Sequence, residues 1–171
     1  MGHDVSAFLK EYLPKTLSKE IESRPNAKRK KVIDEIFNYI NSKLFNESKL
    51  DSNFSGSTCV TVIFERNKLI CANAGDSRAI LGSYKRGSWI STSLSNDHKP
   101  TNREEANRIV RRGGRIESLK DNFGKPYGPE RIWIKSENIP GLAMTRSFGD
   151  KIAASVGVIC EPGIIWCLNK K

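Results

Sequence analysis

Among the acidic residues of this 171-residue sequence Asp76 stands at a strand-turn-strand junction, in the run Gly75-Asp76-Ser77-Arg78. An aspartate there can close its own turn by accepting backbone hydrogen bonds. Arg78 then pairs either with Asp76 or with a carboxylate outside the chain. His98, in Asp97-His98-Lys99-Pro100, has a single companion histidine, the distant His3. It therefore reads as a hydrogen-bonded structural histidine rather than a general acid. Arg146 and Asp150 flank a sharp turn and are placed to hold it as an ion pair. Ser55-Gly56-Ser57 resembles a nucleophile turn, but no histidine and acid are patterned around it. There is no GxSxG elbow, Walker loop or HExxH. The cysteines Cys59, Cys71, Cys160 and Cys167 form no CxxC pair, which argues against zinc.

Helices and short strands must position these groups. Asp4 or Ser6 can cap a first helix carrying Val5, Phe8, Leu9, Tyr12 and Leu13, which Pro14 kinks or ends. A second helix over residues 27–45 presents Val32, Ile33, Ile36, Phe37, Ile40 and Leu44 at i, i+3, i+4 spacing. The texture then turns β-branched. Residues 57–64 and 68–74, joined by Glu65-Arg66-Asn67, predict a hairpin, and 78–81 with 89–94 extend it to an antiparallel meander. A third helix follows, capped by Thr101 or Asn102 and stopped by Gly113-Gly114. Its Glu104 and Glu105 lie at the dipole's positive end and its arginines at the other. Residues 118–130 carry Gly124, Pro126, Gly128 and Pro129 and predict a surface loop. Residues 131–135, 156–160 and 164–168 predict further strands.

Taken in order, Ser55-Gly56-Ser57-Thr58, Ala72-Asn73-Ala74-Gly75-Asp76-Ser77-Arg78-Ala79, Asp97-His98-Lys99-Pro100, Arg112-Gly113-Gly114-Arg115-Ile116 and Leu142-Ala143-Met144-Thr145-Arg146-Ser147-Phe148-Gly149-Asp150 resemble the type 2C (PPM) serine/threonine protein phosphatases. That family shows SGST, NAGDSR, DHKP, GG and LA(M/V)SR…GD in the same order, and Val156-Gly157-Val158 to Pro162 is similar to its GV…P run. The resemblance implies an α+β fold, here a fragment of an α-β-β-α sandwich. It implies metal-activated water attacking phosphoserine or phosphothreonine in proteins, with paired Mg²⁺ or Mn²⁺ as cofactors. It matches Asp76 to an aspartate of an additional, weaker metal position, and 102–139 to a flap beside the site. The family's DGHGG motif would end at Gly2 and its (S/C)DG and DN motifs would lie past Lys171. The resemblance therefore implies a partial domain over 1–171 with Asp76 as its one metal carboxylate and no catalytic residue of its own. Such a chain would not hold the ions stably and would be inactive alone. The alternative is a non-catalytic module that binds phosphoproteins.

Lys plus Arg number 29 against 19 acidic residues, a net charge of +10. The basic residues are scattered and not interleaved with aromatics, which argues against nucleic acid as a partner. No apolar run approaches the roughly 18 residues of a membrane span, and no secretory layout opens the chain. An intracellular protein, cytoplasmic or nuclear, with reduced thiols is expected. A partial sandwich would expose sheet edges, predicting either a dimer through those edges or disorder centred on 118–130.

Overall fold

The computed structural model describes residues 2–46, 50–65 and 67–168. Arg66 of the predicted turn, residues 47–49 and both chain ends lie outside the described residues. Helix α1 (Gly2–Ser23) begins before Asp4 and Ser6, so neither is its cap, and it continues past Pro14, which does not end it. The reason is the buried stripe Val5, Leu9, Leu13 and Leu17, which continues on both sides of the proline. Pro14 itself is exposed, so the carbonyl left without a helical donor can face water. Helix α2 (Arg29–Asn46) buries the six predicted apolar residues.

Strands β1 (Gly56–Ser57), β2 (Cys59–Glu65) and β3 (Lys68–Ala74) follow, then β4 (Ile80–Lys85) and β5 (Ser88–Ser93). The predicted meander is corrected here. β2 and β3 pair with each other, but the third strand of their sheet is β10 (Gly163–Leu168), in the order β10-β3-β2. β4 and β5 form a separate ribbon, turned by Arg86 and Gly87 at positive φ. The chain breaks the meander because the turn Gly75–Ala79 is spent on other contacts, described below.

Helix α3 (Arg103–Arg111) is capped by Asn102, whose Oδ1 accepts from the Glu104 amide at 2.9 Å. β6 (Gly114–Lys120) and β7 (Pro126–Ile134) form a hairpin joined to β8 (Pro140–Leu142). The expected loop at 118–130 is thus mostly strand. Gly124, at φ +79, shapes the turn, where Asp121 Oδ1 accepts from the Phe123 and Lys125 amides, both at 2.9 Å. β9 (Phe148–Gly149) pairs with β1, and α4 (Lys151–Ala154) follows. Residues 156–160, expected as a strand, contribute only a single bridge between Ile159 and Arg146.

The inner face of the β10-β3-β2 sheet, through Ile63, Ile70, Ala72 and Ile164, packs on α1 and α2 in one core that also takes Phe148 and Cys160. A second, smaller core joins α3 to the β6-β7-β8 sheet through Ile109, Ile132, Val156 and Val158. The architecture is α+β with antiparallel sheets, as expected. Among the described residues no helix is long and apolar enough to cross a membrane.

Candidate functional site

The segments singled out by their sequence converge at the end of β3. Gly75 takes φ +114, and a Cβ there would lie 2.4 Å from Thr58 Cγ2, so only glycine fits. His98 clamps this turn. Its amide donates to the Gly75 carbonyl at 3.0 Å, and its Nδ1 lies 3.2 Å from the Gly75 nitrogen and 3.1 Å from the Gly75 oxygen. Buried Asn73 donates from Nδ2 to the same carbonyl and to that of Asn96, each at 3.0 Å. Thr58 and Ser77 share a hydroxyl–hydroxyl bond of 2.7 Å, and Ser95 Oγ accepts from the Ala79 amide at 2.9 Å. Burial, with the nearby Arg146 cation, pushes the His98 imidazole down, so the ring is neutral near pH 7. It is a structural histidine, as its isolation in the sequence suggested.

Asp76 stands on this braced turn, half-buried. Its carboxylate makes no hydrogen bond or ion pair with another described residue, so it does not close the turn as it might have done. Arg78 takes Asp97 instead, from Nε to Oδ1 at 3.0 Å and from Nη2 to Oδ2 at 2.9 Å. Lys99 adds a contact at 3.0 Å. The Arg78 hydrogen bonds lead in holding the Asp97 carboxyl down at about 2.

The expected Arg146–Asp150 ion pair does not form. Arg146 turns to Glu105, which it grips from Nη2 to Oε1 at 2.5 Å and from Nε to Oε2 at 3.1 Å. Asp150 is buried at φ 47, its amide donating to the Ser55 carbonyl at 2.9 Å and its carboxylate filling the space beside Gly56. Burial raises its carboxyl pKa. Glu105 was the residue sequence reasoning passed over as ordinary helix-dipole charge. The available signal was the i, i+3 spacing to Arg108 on a helix whose buried side also holds Ile109.

Magnesium and manganese need a cage of oxygen donors. Among the described residues no three His, Cys, Asp or Glu side chains converge to hold an ion. Asp76 is a single donor, and by themselves these residues do not fit the metal pair that the resemblance implies.

The chain matches the family model described as Protein phosphatase 2C over residues 1–167. The chain belongs to the protein phosphatase 2C family. Among curated relatives it is similar to probable protein phosphatase 2C 65 of Arabidopsis thaliana, 32% identical over 96% of this chain and 47% of that protein. It is also similar to probable protein phosphatase 2C 64 of Oryza sativa subsp. japonica, 36% identical over 99% of this chain and 40% of the relative. The chain thus spans about half, or less, of the length of these relatives. A serine-threonine phosphatase 2C from Toxoplasma gondii shares its fold with a TM-score of 0.71 at 20% identity, covering 94% of this chain and 55% of that one. A C. elegans sex determining protein does so with a TM-score of 0.76 at 20% identity, over 99% and 38%. Protein phosphatase 2C members are hydrolases of phosphoproteins and generally depend on magnesium or manganese.

Proposed function

We propose that this chain is part of a protein serine/threonine phosphatase, and that the chain alone does not catalyse. The observation that carries the reading is the family match over residues 1–167 together with the braced Gly75–Asp76 turn, whose Asp76 carboxylate makes no hydrogen bond or ion pair with another described residue. In that reading Asp76 is the donor this chain offers to a Mg²⁺ or Mn²⁺ ion of the assembled site. The ions supply activated water when bound; the residues described here hold the turn, the flap-like α3–β8 unit and the local charge. His98, neutral and locked to Gly75, orients backbone and transfers no proton.

Two assays test this. The chain, given para-nitrophenyl phosphate and Mn²⁺, is expected to show no turnover above a denatured control; robust turnover would refute the account of its missing ligands. The protein translated from the uninterrupted reading frame around this chain, given a phosphoserine peptide and Mn²⁺, is expected to release phosphate. Binding of the peptide without release would instead favour a non-catalytic phosphoprotein-binding module.

A further inference from the structure

We propose that Glu105 is the positioning residue that makes α3, with the β6-β7-β8 sheet it packs on, move as one body with the turn carrying Asp76. Glu105 is 3% exposed, in a helix of nine residues. A carboxylate on a surface helix normally faces water, and burying one is costly unless every oxygen is satisfied. Here both oxygens are. Oε2 accepts from the Thr145 hydroxyl at 2.6 Å and from Arg108 Nη2 at 2.7 Å, while Oε1 takes Arg146 Nη2. Burial alone would push this carboxyl up; the Arg108 and Arg146 guanidiniums and the Thr145 hydroxyl outweigh it and hold it well below the usual carboxylate range.

From Glu105 the contacts lead to Asp76 by a short covalent and hydrogen-bonded path. Thr145, fixed through its hydroxyl by Glu105 and through its carbonyl by Arg108 at 2.8 Å, donates its amide to the His98 carbonyl at 2.9 Å. His98 holds Gly75 through its amide and its ring, and Asp76 is the next residue. Arg146 also lies beside this turn, its carbonyl 3.2 Å from where a Cβ on Gly75 would sit. Two further guanidinium donors are committed elsewhere, Arg108 Nε to Gly157 O at 2.9 Å and Arg146 Nη1 to Glu161 O at 2.7 Å. No other described carboxylate pairs with either arginine. One buried carboxylate thus ties residues 103–111, 145–146 and 73–98 together. A ligand that tilts α3 would then shift the Asp76 turn with it.

The functional meaning rests on the phosphatase reading; the mechanical coupling does not. Amide hydrogen exchange on this chain, followed by NMR, tests it. Glu105→Gln is expected to speed exchange of the His98 and Thr145 amides about tenfold or more, with Ile40 and Ile70 in the main core unchanged. Thr145→Val removes only the hydroxyl and keeps both arginine pairs, so it spares the fold if Glu105→Gln proves too disruptive. It is expected to give a smaller rise at the same two amides. Unchanged exchange at His98 and Thr145 in both variants, or a rise confined to α3 amides such as Ile109, would overturn the coupling. An inactive parent protein with the expected exchange pattern would leave the coupling standing and sink the phosphatase reading alone.

Discussion

Arg78 binds both oxygens of Asp97, 19 residues along the chain, and leaves the nearer Asp76 without a cation among the described residues. The geometry explains the choice. Asp97 sits where β5 returns beside the turn, so the guanidinium meets it in a bidentate pair, the arrangement that fixes such a side chain most firmly.

The pair sets an acid limit. Asp97 titrates at about 2 in the folded protein, below the ordinary aspartate value of about 3.9. Its contribution to stability is therefore in place above about pH 4 and is lost as the pH falls toward 2. Arg78→Ala is expected to raise the Asp97 midpoint toward the ordinary value, read from its side-chain carboxyl shift by NMR. An unmoved midpoint would mean that Lys99 alone holds the carboxylate down.

Gly56 and Asp150 make a tight pair of a different kind. A Cβ at Gly56 would fall 2.0 Å from Asp150 Oδ2, and Asp150 is buried with its amide held by Ser55. Because Asp150 is only 8% exposed, its carboxylate has little room to move aside. Gly56→Ala is expected to cost about 1–3 kcal/mol, as overpacking does, measured by urea unfolding. A loss below about 0.5 kcal/mol, within the range of ordinary surface substitutions, would show that the site relaxes freely.

The thiols should be quiet. Burial pushes Cys160 to about 12 and Cys59 to about 11, and raises Cys71 as well. Thiolate is the reactive form, so these groups are poor nucleophiles at neutral pH. Iodoacetamide at pH 8, read by mass spectrometry, is expected to leave Cys59, Cys71 and Cys160 unmodified until denaturant is added. Labelling of Cys160 in the native protein would show that the α2–β9 core opens.

Local pattern made much of this legible. The α2 stripe, the Asn102 cap, the β2–β3 hairpin and the structural role of His98 follow from spacing and side-chain chemistry within one element. The errors came where tertiary contact overrode local preference. Pro14 sits inside α1 because the residues around it bury a stripe that its own face does not share. The glycines and prolines of 118–130 look like a loop, yet strand pairing from Gly114 to Ile134 draws most of the segment into a hairpin. β10 could not be placed beside β3 from sequence, because the pairing joins residues 90 to 100 positions apart. At the candidate site the motif residues were found, but the partners of Arg78 and Arg146 were misassigned. Ion-pair choice depends on which carboxylate the fold brings near, and neither Asp97 nor Glu105 is marked as that partner by position in the chain.

The three tryptophans fall in three different sheets: Trp89 in β5 of the two-stranded ribbon, Trp133 in β7 and Trp166 in β10. Their surroundings differ, since Trp89 is 75% exposed while Trp133 lies part-buried with its indole nitrogen donating to the Glu117 carbonyl at 2.9 Å. Each of these three sheets therefore carries its own built-in fluorophore. Single-emitter versions, with phenylalanine at the other two positions, would let the melting of each sheet be watched by light, separately from the rest.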